Sequence, residues 1–161
     1  KLLFMGQDFG QYQEWSEERE LDWYLLGEQN HQQLQNYVKE LLKMYKKYPA
    51  LYANDNNYQG LEWINADDAS RSIYSFVRWS PTGRNNLLFV INYTPVARDD
   101  YRVGVPKRKQ YKLILNSKEP EFGGDVHKEV VDYKAVKKEC DGRPFSFAYP
   151  LPAYGVAVFR F

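Results

Sequence analysis

The segment LLFVINY, at residues 87–93, is almost wholly apolar and ends at the turn residues Thr94 and Pro95. An apolar run of this length between turn signals is typical of a strand that is buried on both faces. β-Branched and aromatic side chains, which favour strands, also contribute to it. We therefore predict that residues 87–93 form a central strand of a sheet.

Short segments with the composition of strands lie on both sides of this one, and turn residues separate them. They are residues 60–65, 72–79, 101–105, 111–115, 145–149 and 154–161. Ile73, Val77 and Trp79 alternate with more polar positions, which indicates a strand with one buried face. We interpret residues 130–138 as an edge strand or an irregular segment. The pattern predicts a mainly β fold, with an antiparallel β-sandwich over residues 53–161.

The first 52 residues have a different pattern, which begins with the apolar run LLFM at residues 2–5. The sequence GQDFG follows at residues 6–10 and brings in polar and flexible positions. Polar side chains directly after an apolar strand are typical of the C-terminal end of a parallel barrel strand. Residues 11–26 are polar and irregular, as in a long loop.

An amphipathic helix is predicted at residues 30–48, because apolar side chains recur there at the spacing of one helical face. Asn30 is the expected N-cap, and Gln33 completes a capping-box pattern with it. Pro49 ends the helix. Strand, loop and helix together form one β/α unit, and the run NDNN at residues 54–57 has the composition of a linker.

The charge balance is nearly neutral, with 22 Lys and Arg against 21 Asp and Glu. It gives no reason to expect nucleic acid or a membrane surface as a partner, and we interpret Lys107, Arg108 and Lys109 as a charged hairpin tip. The single cysteine, Cys140, excludes an internal disulfide framework, and no signal peptide is visible, so we expect a cytoplasmic protein. Because Lys1 directly precedes a strand of the buried type, we expect the sequence to belong to a longer protein.

Few residues have the pattern of a catalytic or metal site. Asp8 is the one carboxylate at the end of a predicted barrel strand, and we interpret it as lining a pocket rather than as a reacting group. The acidic residues between positions 14 and 20 are most simply a solvated surface. His31, His127 and Cys140 lack the spacing of metal ligands, so no metal site is predicted.

Aromatic residues make up 17% of the sequence, which suits either a β core or a surface that stacks on sugar rings. Trp15, Trp23, Tyr58 and Trp63 are candidates for such stacking. Because aromatic side chains are mostly buried, we assign Trp23 and Trp63 to the core. Trp15 lies in the polar loop and is the better candidate for contact with a ligand.

Several motifs occur in an order that points to one known family. They are FMGQDFGQ at residues 4–11, LDW at 21–23, GLEWI at 60–64, NYTPV at 92–96, DYRVGVP at 100–106, FGG at 122–124, GRPFSF at 142–147 and LPAYGVAVFRF at 151–161. Together they closely resemble the C-terminal end of the bacterial glycogen branching enzymes, which are members of the α-amylase superfamily. The resemblance extends over the whole chain.

The resemblance implies that residues 1–52 are the last strand, loop and helix of a (β/α)8 barrel, followed by an all-β domain at residues 53–161. The implied activity is cleavage of an α-1,4-glucan and transfer of the chain to a 6-hydroxyl, which makes an α-1,6 branch by a retaining mechanism without a cofactor. The family's catalytic carboxylates lie on earlier barrel strands and are outside this sequence, so we expect no catalytic residue here and an inactive fragment.

For the parent enzyme, the resemblance implies that Gln7 and Asp8 help to line the cleft for glycogen or amylose, and we expect Trp15 to contact the same glucan. The family usually has Glu where this sequence has Asp8. Two alternatives stay open, namely a non-catalytic glucan-binding or interaction module and the C-terminal part of another amylase-superfamily enzyme. An isolated barrel strand exposes two unpaired edges and two apolar faces. We therefore expect residues 2–5 either to be displaced from barrel geometry or to be buried in a homodimer contact.

Overall fold

A computed structural model describes residues 2–127 and 129–161 of the chain. One α-helix, α1 (Gln29–Lys47), precedes all the strands. The strands are β1 (Leu61–Asn65), β2 (Ile73–Arg78), β3 (Leu87–Asn92), β4 (Arg98–Val105), β5 (Gln110–Asn116), β6 (Asp132–Lys134), β7 (Phe145–Leu151) and β8 (Val156–Arg160). Short 3-10 helices occur at Trp23–Gly27, Pro49–Leu51, Tyr58–Gly60 and Pro120–Phe122. Within the described ranges, no helix combines the length and the apolar character that a membrane span requires.

Six strands form one antiparallel sheet in the order β1-β2-β3-β8-β5-β6. The central strand predicted from residues 87–93 is confirmed, because β3 lies between β2 and β8. The six other predicted strands, on this sheet and its partner, begin and end within a few residues of the observed bounds. The ambiguous segment at residues 130–138 contains β6, which is an edge strand paired with β5 alone.

A second sheet, formed by β4 and β7, covers one face of the six-stranded sheet. Aromatic side chains fill the space between the sheets, and Phe159 lies at the centre with its ring 5.2 Å from that of Phe147 and 5.0 Å from that of Tyr149. Burial raises the pKa of the Tyr111 and Tyr149 phenols. Both hydroxyls are bonded, since Tyr111 donates to the Lys107 carbonyl at 2.9 Å and Tyr149 accepts from the Asn116 amide at 3.2 Å. The predicted antiparallel β architecture is therefore present.

Helix α1 packs on the opposite face of the six-stranded sheet. Met44 and Tyr48 are buried there against Leu87, Leu115 and Val158. This matches the predicted amphipathic helix to within one residue at each end. The cap prediction was wrong.

The N-cap is Glu28, whose carbonyl accepts from the Gln32 amide at 3.1 Å, and its side chain makes no capping hydrogen bond. Asn30 therefore lies inside the first turn, where its side chain cannot cap the helix, and Gln33 does not complete a capping box. Helical backbone bonding begins two residues earlier than the side-chain pattern indicated.

Residues 2–5 do not form the predicted strand, and helix α1 and two short 3-10 helices are the regular elements described within residues 2–52. Residues 5–10 form turns, in which the Gln7 amide donates to the Phe4 carbonyl at 3.1 Å. A strand needs hydrogen-bonding neighbours, and no other described segment pairs with residues 2–5. Their side chains stay exposed, and Leu2 is 94% accessible.

The basic cluster at residues 107–109 is not a hairpin tip. The strands on its two sides belong to different sheets, because β4 pairs with β7 whereas β5 pairs with β8 and β6. The loop therefore crosses from one layer of the sandwich to the other. The Lys107 ammonium lies 4.8 Å from the ring centre of Trp79, which places this charge on an aromatic face of the protein itself.

Replacing Gly104 by alanine is expected to destabilise the sandwich by about 1–3 kcal/mol, as overpacking does. Gly104 lies within β4, and an added Cβ would collide with the backbone carbonyl of Cys140. Urea unfolding followed by circular dichroism measures the change. Gly27→Ala is the matched control, because a Cβ there meets nothing within 4 Å. Equal stability of the two variants would contradict the close approach.

Candidate functional site

A cluster of aromatic side chains lies on the outer face of the six-stranded sheet, beside helix α1. It consists of Trp63 on β1, Tyr74 and Phe76 on β2, Phe89 on β3 and Tyr93 directly after β3, and we call it the aromatic sheet face. Trp63 and Tyr93 are exposed, with 49% and 61% of their surface accessible. Large exposed aromatic surfaces are uncommon on proteins and often mark binding sites.

Strand register brings these rings together. Trp63 pairs with Phe76 across β1 and β2, and Phe76 pairs with Phe89 across β2 and β3. The Trp63 and Phe76 ring centres are 5.3 Å apart with planes at 68°, and those of Phe76 and Phe89 are 4.8 Å apart and nearly parallel. Tyr74 and Tyr93 meet edge to face at 5.6 Å. The rings pack against one another, which restricts the orientations that each can adopt.

The aromatic sheet face borders an open groove of about 570 Å³. The lining residues are Trp63, Ser72, Tyr74, Phe76, Ile91 and Tyr93. Flat rings next to hydroxyl groups suit a ligand that has apolar C–H faces and many hydroxyls of its own. A sugar chain has this combination. The arrangement can therefore bind, but it contains no acid–base or nucleophilic pair for catalysis.

The assignment of Trp63 to the core was wrong. Side chains alternate along a strand, and in β2 Ile73, Ser75 and Val77 are the buried set. Glu62 pairs with Val77 on that buried side, so the next residue, Trp63, projects outward. The sequence GLEWI therefore gave the correct strand but the wrong face, because register across β1 and β2 decides which side is inside.

Strand β1 has an irregularity at the position of Trp63. The pairing with β2 shifts between Trp63 and Asn65, which is the signature of a β-bulge. Arg143 contacts this site twice: its Nη2 donates to the Trp63 carbonyl at 2.7 Å, and its Nη1 lies 2.8 Å from Glu62 Oε1. The other Glu62 oxygen accepts from the Trp79 indole at 2.8 Å. The motifs GLEWI and GRPFSF contain Glu62, Trp63 and Arg143, but neither motif indicated that these residues contact one another.

The N-terminal candidates lie around Phe4. The Gln7 side-chain oxygen accepts from the Phe4 amide at 3.3 Å, and the Phe4 ring meets Trp15 edge-on at 6.1 Å. Gln7 is exposed, whereas Asp8 and Trp15 are partly buried. The fold thus brings Gln7 to the backbone and Trp15 to the side chain of the same residue, Phe4, where the predicted strand is absent.

His31 fixes this N-terminal segment to helix α1, a role that the sequence did not reveal. The side chain is buried, its Nδ1 lies 2.7 Å from the Phe9 carbonyl and its Nε2 lies 3.1 Å from the Tyr12 hydroxyl. Phe9 itself is fully buried, and its ring lies 5.1 Å from that of Trp23. His31 and Phe9 are 22 residues apart in sequence, so no local sequence pattern indicates that they are in contact.

Comparison with known proteins agrees with the two-sheet architecture. Residues 63–161 match the family described as the alpha amylase C-terminal all-beta domain. The chain belongs to this family. The match begins at Trp63 and so includes both sheets of the sandwich and the aromatic sheet face, whereas helix α1 and the N-terminal turns precede it.

Proteins similar to this chain include several 1,4-alpha-glucan branching enzymes named GlgB. The protein of Butyrivibrio fibrisolvens is 51% identical over 161 residues, which is 100% of this chain and 25% of that protein. Those of Pseudomonas putida and Aquifex aeolicus are each 40% identical over 160 residues, 99% of this chain, and 22% and 25% of their own lengths. The chain spans about a quarter of the length of these relatives.

Trp23 and Tyr58, the two other aromatic candidates for stacking on sugar rings, are exposed to solvent. Trp23 is 48% exposed, so its assignment to the core was wrong as well, although one face packs on Phe9. Tyr58 is 92% exposed and lies in a short 3-10 helix before β1. Across residues 2–127 and 129–161, no three His, Cys, Asp or Glu side chains are grouped so that they hold a metal ion.

Proposed function

We propose that this chain is part of a 1,4-α-glucan branching enzyme. The observation that carries the proposal is the similarity over the whole chain to proteins of that name, at up to 51% identity among those compared. The proposed reaction cleaves an α-1,4-glucan by a retaining mechanism and transfers the released chain to a 6-hydroxyl, which forms an α-1,6 branch. It needs no cofactor, and the proposed location is the cytoplasm.

In this proposal the reacting carboxylates lie outside the 161 residues, and the N-terminal turns contribute to substrate binding. Gln7 offers an exposed amide to sugar hydroxyls, and Asp8 offers a carboxylate that accepts hydrogen bonds from them. Trp15 supplies an apolar ring that meets the Phe4 ring edge-on. Retaining glycoside chemistry requires two carboxyl groups about 5–5.5 Å apart across the scissile bond, and the proposal assigns neither of them to this chain.

Branching assays on two polypeptides test the proposal. The longer protein that contains this sequence is expected to lower the iodine colour of amylose and to form α-1,6 linkages, whereas residues 1–161 alone are expected to do neither. Debranching followed by chain-length analysis measures the linkages. Activity of the isolated chain would contradict the assignment of the reacting groups, and hydrolysis without branching by the longer protein would contradict the proposed reaction.

A second function, glucan binding by the all-β sandwich itself, is supported by the exposed rings of the aromatic sheet face. Trp63 and Tyr93 are about half exposed in a groove that also carries hydroxyl groups. Electrophoresis of the chain in native gels that contain glycogen is expected to show retardation relative to gels without it. Unchanged mobility over a wide range of glycogen concentrations would contradict this binding function.

We also propose that residues 2–5 mediate homodimer formation when the chain is studied in isolation. Leu2, Leu3, Phe4 and Met5 are all exposed, and such a patch is costly in water. Sedimentation velocity is expected to show a dimer that the double replacement Leu3→Ser and Phe4→Ser converts to a monomer. A chain that is monomeric at high concentration without these replacements would contradict the proposal.

A further inference from the structure

We propose that Arg143 is a positioning residue that fixes the orientation of Trp63 on the aromatic sheet face and so controls its affinity for α-glucan. This inference rests on the proposed binding of glucan by that face. Arg143 does not belong to the face itself. It acts on the strand that carries Trp63, from the side of the sheet that faces the sandwich interior.

The first step is that strand β1 needs external support. It is the edge of the six-stranded sheet, and β2 is the one described strand that pairs with it. The bulge between Trp63 and Asn65 further weakens regular pairing at this point. An edge strand with a bulge is free to twist, and a twist of β1 turns the Trp63 ring relative to Phe76.

Arg143 supplies the support through two adjacent residues of β1. Its Nη2 donates to the carbonyl of Trp63 at 2.7 Å, which fixes the backbone at the bulge. Its Nη1 pairs with Glu62 at 2.8 Å, and Glu62 is further held by the Trp79 indole. One planar guanidinium therefore holds both the main chain of Trp63 and the side chain of the preceding residue.

The third step is that Arg143 projects from a rigid turn. Cys140 and Arg143 form a two-way backbone bridge at 2.9 and 3.0 Å, closed by Asp141 and Gly142. Asp141 and Gly142, the two central residues of the turn, have positive φ of 48° and 69°, as a two-residue type I′ turn requires.

An ion pair fixes this turn to the first sheet. Arg71 Nη2 bonds to Asp141 Oδ1 at 2.8 Å, and Arg71 lies two residues before the start of β2. The turn is thus held against the loop that joins β1 to β2. Because both ends of the support are anchored, Arg143 holds β1 rather than following its movement.

Trp63 and Arg143 therefore have different roles in the proposed binding of glucan. Trp63 contacts the ligand, whereas Arg143 determines how often the ring is in the orientation that binds. Loss of the guanidinium leaves the ring present but no longer held. The affinity then falls by less than it does on loss of the ring, and the two losses do not add.

The test uses the 161-residue chain and measures its dissociation constant for glycogen by affinity electrophoresis. Arg143→Met is expected to weaken binding about fivefold, less than loss of the Trp63 ring, because the guanidinium acts only on the orientation of that ring. Arg143→Lys, which keeps the charge but not the two-pronged geometry, is expected to restore only part of it. Arg108→Met removes an exposed charge in the loop between β4 and β5 and is expected to leave binding unchanged.

Two further measurements separate the possible outcomes. In a Trp63→Ala background, Arg143→Met is expected to have no additional effect on the dissociation constant. In the chain with Trp63 present, it is expected to increase quenching of tryptophan fluorescence by acrylamide while the thermal midpoint still shows a folded protein. If Trp63→Ala leaves binding intact, the proposed binding function fails. If Trp63→Ala weakens binding and Arg143→Met does not, or if their effects add, the positioning role is wrong.

Discussion

Phe159→Ala is expected to lower the free energy of unfolding by about 3–5 kcal/mol, the usual cost of truncating a buried phenylalanine. Phe159 is fully buried on β8, and its ring makes edge contacts with Tyr133, Phe147 and Tyr149. These residues come from both sheets, so the cavity would open at the centre of the sandwich. Domains of this size are stable by only about 5–15 kcal/mol, and the loss is therefore a large part of the total.

Urea unfolding, followed by both near- and far-ultraviolet circular dichroism, measures this loss. Phe159→Leu keeps most of the volume and is expected to cost about 1 kcal/mol, which gives a folded variant if alanine is too severe. Phe4→Ala is the matched control, because Phe4 is 41% exposed and makes one ring contact among those described. Similar losses for Phe159→Ala and Phe4→Ala would contradict the assignment of the core.

Trp63→Ala is expected to weaken binding of glycogen about tenfold or more. About half of the Trp63 surface is accessible in the free chain, and covering roughly 100 Å² of it with a sugar is worth about 2.5 kcal/mol before the costs of ordering the ligand. The loss of stability is expected to be smaller than that of Phe159→Ala, because the Trp63 ring is half exposed and packs on Phe76 outside the core between the sheets. The main effect is therefore expected in affinity rather than in folding.

Affinity electrophoresis in gels with increasing glycogen measures the dissociation constants for this comparison. Tyr58→Ala is the matched control, since Tyr58 is 92% exposed but lies outside the aromatic sheet face. Tyr93→Ala is expected to weaken binding by a smaller factor than Trp63→Ala, because its ring is smaller. Equal retardation of the Trp63→Ala variant and the unmodified chain would show that glucan does not bind at this face.

Local sequence pattern predicted the elements whose determinants are themselves local. Alternation and turn residues located β2, β3, β5 and β7, and the helical stripe located α1. The turn at Asp141 and Gly142 also has a local cause, because an Asp-Gly pair adopts positive φ at both positions more easily than most pairs do. Each of these features is determined by neighbours within a few residues.

Predictions that depended on distant neighbours were less successful. Residues 2–5 have the composition of a buried strand, but a strand forms only when other strands supply hydrogen bonds and cover its faces. Trp63 has a large aromatic side chain of the kind that is usually buried, but the register of β1 on β2 directs it outward. The loop at residues 107–109 resembles a hairpin tip, but its two strands belong to different sheets.

The sequence by itself determined the helix, the succession of short strands and the family, because hydrophobic period, turn chemistry and ordered motifs are all written along the chain. Only the tertiary structure decided which faces are exposed. The aromatic sheet face combines β1, β2 and β3, and its support by Arg143 joins residues that are 80 positions apart in sequence. Such contacts arise from strand order and register, which depend on packing of the whole sandwich rather than on any local pattern.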